Sequence, residues 1–235
     1  MPKLPDFLIG YRILYVADFH FNDRFPEFAP LVRDLLATVE SEICLFGGDY
    51  RFAHDGDFAH VFRDMAVVLE GVNARHGVHA ILGNHDLSDF VEPFQSLGID
   101  ILVNENRRID AGEGSFWVAG VDDQHRFHCE SLPLATEGIP PDDFTLLLAH
   151  SPELAMRAPN SGIDLYLCGH THWGQIRFPV LGALTYNSRC PSRFCMGIWE
   201  SEGMLGYTTA GIGTTDLPIR YNCPPEASLL TLARL

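Results

Sequence analysis

Positive charge is what this sequence has least of: 16 lysines and arginines stand against 31 aspartates and glutamates, for a formal net charge of -15. A partner held through a phosphate backbone needs clustered Lys and Arg, so long nucleic acid is disfavoured as a partner. A small anionic substrate stays open, because bound cations would offset the acidity locally. Long apolar runs are missing too. No stretch reaches the roughly 18 apolar residues of a membrane span, and the opening MPKLPDFLIGYRILYVADFH lacks the separate charged, apolar and cleavage regions of a signal peptide. The expectation is a soluble, cytoplasmic protein, with peripheral membrane contact through Pro2 to Tyr11 or Phe19 to Phe28 as its variant. No CxxC pair occurs among Cys44, Cys129, Cys168, Cys190, Cys195 and Cys223, so free thiols in a reducing compartment are expected. Only Cys190 and Cys195 are close in sequence. There is no internal repeat, and no feature marks a protein partner.

What is present is an ordinary globular composition, 46% apolar over 235 residues, enough for one domain spanning residues 1–235. The first half alternates short apolar runs with amphipathic stretches, the pattern of an α/β protein. Arg12 to Ala17, Ile43 to Phe46 and Val78 to Leu82 read as strands. Between them, Phe28, Leu31, Val32, Leu35, Leu36 and Val39 share a helical face, and a second helix is expected from Asp57 as N-cap, turning Val61, Phe62, Met65, Leu69 and Val72 inward. After a short helix over Phe90 to Leu97 the chain changes character. Ile99 to Val103, Arg107 to Asp110 and Ser115 to Val121 are brief strands, then Asp122 to Asp143 is a polar surface loop. Thr145 to Ala149 and Ile163 to Cys168 are further strands, and Arg193 to Glu200, Met204 to Thr209 and Ser228 to Ala233 read as hairpins.

Metal-binding residue types recur where these strands end. Asp18 and His20 follow the first strand, Asp49 the second, Asn84 and His85 the third, His150 a later one, and His170 and His172 the one after that. Ligands in open α/β sheets bind beyond the carboxyl ends of strands, so residues remote in sequence meet there. In Asp18-Phe19-His20 and His170-Thr171-His172, alternate residues share a face and reach one site. Gly48, Gly83 and Gly169 directly precede ligands, with Gly47 one position back, and suit turns where backbone approaches an ion closely. Imidazole, carboxylate and one amide oxygen fit two divalent or transition-metal ions, Mn, Fe or Zn, better than Ca. The rival metallohydrolase pattern HxHxDH is absent.

The ordered set DxH, GGD, GNHD, strand-final His and GHTH resembles the calcineurin-like metallophosphoesterases. Beyond those motifs, His170-Thr171-His172-Trp173-Gly174-Gln175 and the tail Ala210-Gly211-Ile212-Gly213-Thr214, Leu217-Pro218-Ile219-Arg220 and Pro224-Pro225-Glu226 resemble the branch containing membrane-associated phosphodiesterases and a UDP-2,3-diacylglucosamine pyrophosphatase. The resemblance implies an α/β (α+β mixed) fold, a four-layer sandwich of two mixed β-sheets flanked by helices. It implies one ion on Asp18, His20, Asp49 and His172 and a second on Asp49, Asn84, His150 and His170, with His85 as the catalytic acid over the substrate. Two cations roughly 3.5 to 4 Å apart share a water and hold phosphoryl oxygens in line with it.

Two departures from the pattern matter. Trp173 stands where this branch has a second glycine, GHTHGGQ, which makes it either a border of the pocket or a packing substitution. The Ser/Thr phosphatase signature GDxxDRG is not reproduced by Gly48 to His54, which disfavours a protein phosphatase and leaves the orienting carboxylate of His85 unidentified, since the adjacency of Asp86 in sequence does not make a hydrogen bond. In the polar loop, His125 and Arg126 are candidates to meet a phosphate or leaving group, with His128 beside them, while Arg220 is expected to tie down the C-terminal loop. The expected reaction is hydrolysis of a small phosphodiester or pyrophosphate-linked substrate, including a lipid-linked nucleotide. A nuclease is the nearest enzymatic alternative, and a metal-binding scaffold for protein assembly is the alternative outside catalysis.

Overall fold

The computed structural model describes residues 4–54 and 57–234. Alternation along the strands decides the layering. In β1 (Arg12–Val16), Ile13 and Tyr15 join a cluster with Ile43, Leu45, Val118, Leu146, Leu148 and Leu167, whereas Leu14 and Val16 join another with Val32, Leu36, Phe46, Met65 and Phe94. Successive strand side chains point to opposite faces, so one strand feeds two cores. The first lies between two sheets and the second under helices.

One sheet contains β1, β2 (Ile43–Phe46), β3 (Val78–Ala80) and β4 (Ile99–Ile101), which run parallel in that order. The other contains β5 (Glu105–Asp110), β6 (Ser115–Gly120), β7 (Thr145–Leu148), β8 (Leu165–Cys168), β9 (Gly197–Ser201) and β10 (Met204–Thr208). Its strand order is β9-β10-β8-β7-β6-β5, with antiparallel pairs at both edges and parallel pairs between. The two sheets are mixed and flanked by helices, as expected. The outer helical layers are unequal. Helices α1 (Phe28–Leu36), α2 (Ala59–Leu69) and α3 (Val91–Ser96) cover the first sheet. The second sheet's outer face is covered by α4 (Leu132–Ala135) and short turns at Leu154, Ala158 and Phe194.

Three expectations are corrected. Helix α1 buries Ala29, Val32 and Leu36, while Leu31 and Leu35 are 63% and 47% exposed, because positions two and six residues past Ala29 are rotated well away from its face. Helix α2 starts two residues after Asp57, whose carboxylate accepts the Ala59 N–H at 2.9 Å; its most buried apolar residues are Val61, Met65 and Val68, with Phe62 and Leu69 half-buried on the same cluster. Strands β9 and β10 form a hairpin, but β11 (Ser228–Thr231) does not extend it. It crosses to the first sheet and pairs antiparallel with β1, Leu14 opposite Leu229.

The segments expected to meet a bilayer turn several of their large apolar side chains inward. Phe19 and Phe21 are buried, as are Leu4, Leu8 and Tyr11; Ile9 and Phe25 are exposed, and Pro2 and Lys3 lie outside the described residues. No helix among the described residues is long and apolar enough to cross a membrane.

Candidate metal centre

Because β1, β2 and β3 are parallel to one another, as are β7 and β8, their carboxyl ends lie together. The strand-end residues meet there. Asp18, His20 and His172 bring ligand atoms within 4.8 Å of one another, Asp49, His150 and His170 do the same, and a third group joins His20, Asp49 and His85. Oδ2 of Asp49 is the meeting point, 3.6 Å from His20 Nε2, 3.3 Å from His150 Nε2 and 3.9 Å from His85 Nε2. Asn84 Oδ1 is 3.0 Å from His150 Nε2. All eight strand-end residues named from the sequence converge on one site.

The backbone is bent hard to achieve this. Asp18, His20, Asp49, His170 and His172 all have φ between 47° and 68°, a left-handed conformation that costs non-glycine residues on the order of 1–3 kcal/mol. Neighbouring loops hold them there. The Asp86 carboxylate accepts N–H bonds from Asp49, Tyr50 and Gly83 at 2.8, 2.9 and 2.8 Å, pinning the β2 and β3 turns together. Two glycines permit the close approach: a Cβ on Gly83 would sit 2.3 Å from Asp49 Oδ1, and one on Gly169 would sit 2.4 Å from Asp18 Oδ2.

The donor set fits cations. His20 Nδ1 lies 3.2 Å from Arg51 O, His150 Nδ1 2.8 Å from Gly47 O, and His170 Nε2 2.9 Å from Asn187 O. For His20 and His170 the carbonyl takes the N–H of one ring nitrogen and leaves the other nitrogen's lone pair turned toward the cluster, while Gly47 O takes the Nδ1–H of His150. Burial pushes the imidazoles of His20 and His170 down to about 3 and His172 well below its usual range, so all three present neutral nitrogen. Burial pushes Asp18 up to about 7, with Asp49 adding to it. Burial opposes the charged forms of Asp49 and His150 as well, but their mutual attraction outweighs it, holding Asp49 well below the usual carboxylate range and raising His150 to about 10. Buried carboxylates that draw a proton onto a neighbouring imidazole are a site that favours positive charge.

His85 differs from the ligands. Its Nδ1 is 2.9 Å from Phe52 O and its backbone N–H is donated to Asp49 Oδ1 at 2.8 Å. The orienting group is thus a backbone carbonyl, and the adjacent Asp86 is spent on the backbone of other residues. His54 stacks on His85, ring centroids 3.9 Å apart.

Of the remaining candidates, His125 lies against His170, centroids 4.1 Å apart, and its Nδ1 is 2.8 Å from Glu153 Oε1. Arg126 reaches across to His54 Nδ1. Trp173 points elsewhere: its indole N–H is donated to Thr208 O at 2.7 Å, a packing position at the end of β10, and its φ of 51° accounts for glycine in the related pattern. Arg220 ties the C-terminal loop as expected, donating to the carbonyls of Ala210, Gly211 and Gly213. Sequence reasoning missed His54, Asn187, Glu153 and Arg189, which stand in loops without motif or period; the histidine in Gly48 to His54 was the one signal at hand.

Comparison with known proteins agrees with this geometry. A family model described as calcineurin-like phosphoesterase matches residues 11–174, a span that contains every one of the eight residues. Phosphodiesterase YaeI of Escherichia coli (strain K12) is 29% identical over 232 residues, covering 94% of this chain and 82% of that protein. A transmembrane protein with metallophosphoesterase domain from Bos taurus is 31% identical, covering 98% of this chain and 54% of that protein, so the chain spans about half of that relative's length. Among solved structures, phosphopantetheinyl hydrolase from Mycobacterium tuberculosis aligns with a TM-score of 0.54 at 10% identity, over 87% of this chain and 91% of that one, a likeness of fold.

Proposed function

We propose, from the premise that this chain belongs to the calcineurin-like phosphoesterases, that it hydrolyses small phosphodiester or pyrophosphate-linked substrates at a dinuclear metal site. The observation that carries the reading is the pair of ligand groups sharing Asp49. Asp18, His20, Asp49 and His172 would hold one ion, and Asp49, Asn84, His150 and His170 the other. The identity of the metals is among Mn, Fe and Zn, the ions that suit imidazole mixed with carboxylate. When bound, the pair supplies charge to the phosphoryl oxygens and lowers the pKa of a shared water.

The chain's own groups do the rest. His85, partly exposed beside Asp49 with Nδ1 fixed by Phe52 O, presents Nε2 to the site and gives its proton to the departing oxygen. Small substrates are favoured over long nucleic acid by the net charge of -15.

The test is a panel on protein loaded with each of the three metals, comparing a phosphomonoester, a phosphodiester, cyclic nucleotides and UDP-diacylglucosamine. Turnover of a diester or pyrophosphate-linked compound is expected. Turnover confined to the monoester would overturn the substrate class, and a protein that binds metal yet hydrolyses none of them would point to a scaffold.

A further inference from the structure

The surface beside Asn84 is built unlike the rest of the molecule. An open cavity there is lined by His54, Asn84, His125, Arg126 and Arg189, so it shares one wall with the metal centre. Its side chains come from four separate loops. In a chain with 31 acidic residues and 16 basic ones, two of its five lining residues are arginines.

Carboxylates are present, but they hold backbone. Asp123, 1% exposed, accepts the N–H groups of His125, Arg126 and Phe127 at 3.1, 2.7 and 2.6 Å. Glu153 accepts the Arg189 N–H at 3.0 Å and meets His125 Nδ1 at 2.8 Å, clamping the two arginine-bearing loops together. Neither guanidinium has a carboxylate within ion-pair distance among the described residues. The polar side-chain partners they do have are imidazoles: Arg126 donates to His54 Nδ1, and Arg189 Nη1 lies 3.1 Å from His128 Nε2. A pair of loops fixed by one buried and one half-buried acid, while the cationic tips stay unneutralised, is arranged for an external anion.

We infer that Arg126 and Arg189, supported by His54 and His125, form a subsite for a second anionic phosphoryl group, next to the one at the metal centre. The substrate class is therefore a diphosphate-bridged diester rather than a simple phosphodiester. This rests on the proposed phosphoesterase site and narrows it. During hydrolysis of the bridge, the P–O bond at the metal-centre phosphorus breaks, water supplies the new oxygen, and the second phosphoryl group leaves on the bridging oxygen. Held by the two guanidiniums, that leaving group carries its charge away from the acidic floor, and His85 supplies the proton where one is needed.

The experiment measures binding and turnover with defined probes. Calorimetry on manganese-loaded protein compares methylenediphosphonate, which has a second phosphoryl group and no cleavable bridge, with methylphosphonate. The preference of wild type for the diphosphonate is expected to fall at least ten-fold in the Arg126→Ala/Arg189→Ala double variant and to recover in part in Arg126→Lys/Arg189→Lys. The ratio of kcat/KM for a nucleoside diphosphate sugar over bis(p-nitrophenyl) phosphate should fall in parallel. An unchanged binding preference in the alanine variant overturns the subsite, even where both compounds are hydrolysed. Hydrolysis of neither compound by wild type overturns the phosphoesterase reading, while the calorimetric comparison still decides the anion site.

Discussion

The floor of the site and its rim hold charge by opposite means. On the floor, Asp18, Asp49, His150 and His172 are almost wholly buried, one ring nitrogen in each of His20, His150 and His170 is held by a backbone carbonyl, and five of the candidate ligands sit in left-handed backbone conformations. On the rim, His54, Arg126 and Arg189 are exposed, and order comes from the buried Asp123 and the half-buried Glu153 acting on backbone. Rigid geometry suits a cation, which demands fixed distances; a guanidinium on a braced loop suits a larger anion whose identity varies. The lesson is that a buried, strained cluster and an exposed, braced rim are built in different ways within one cleft.

Breaking the floor should have the largest effect. Asp49→Ala removes the shared oxygen and is expected to lose bound metal along with about 1,000-fold or more of turnover, read by metal analysis beside kinetics. Full activity in that variant would remove the assignment. His85→Ala should divide the two properties, keeping both metals but losing roughly 100- to 10,000-fold in kcat, the range of general-acid catalysis. Loss of metal in His85→Ala would make it a ligand instead.

Removing the metals with a chelator tests the floor's stability role. Ions at about 100 times their dissociation constant add about 2.7 kcal/mol, so the melting temperature should drop by several degrees on chelation, at the roughly 2–4 °C per kcal/mol of a chain this size. An unchanged melting curve would contradict tight binding.

The rim should respond more gently. Glu153→Gln weakens the clamp between His125 and the Arg189 backbone and is expected to raise KM for a diphosphate-bridged substrate by several-fold with little change in metal content. A collapse in kcat at unchanged KM would place Glu153 in the chemistry. Smallest of all is Trp173→Gly, which relieves a left-handed residue but gives up the bond to Thr208 O. The two terms are each of order 1 kcal/mol and oppose one another, so denaturant unfolding should shift by about 1 kcal/mol or less.

The same division explains what could be read in advance. The floor was legible because residue identity, order and position after apolar strands survive in one dimension; the shared face read into Asp18-Phe19-His20 and His170-Thr171-His172 was not, since these residues are left-handed rather than extended and His170 and His172 join different groups. The strands of the first sheet were legible for the same reason. The rim was not, since Arg189 and His54 are brought beside Asn84 by loop paths that no periodicity encodes. The orienting partner of His85 was hidden because a carbonyl leaves no mark on residue type; the adjacent Asp86 has its oxygens occupied by three backbone N–H groups. The crossing of β11 to pair with β1 is a long-range choice made by packing, and a local pattern of short strands reads equally well as a hairpin.

Metal stoichiometry tests the central claim most directly. Elemental analysis of protein equilibrated with manganese and freed of excess ion should find two ions per wild-type chain, with clear loss in Asp49→Ala and both retained in His85→Ala. One ion or none in wild type, or two ions undisturbed in Asp49→Ala, would contradict a dinuclear centre shared through Asp49.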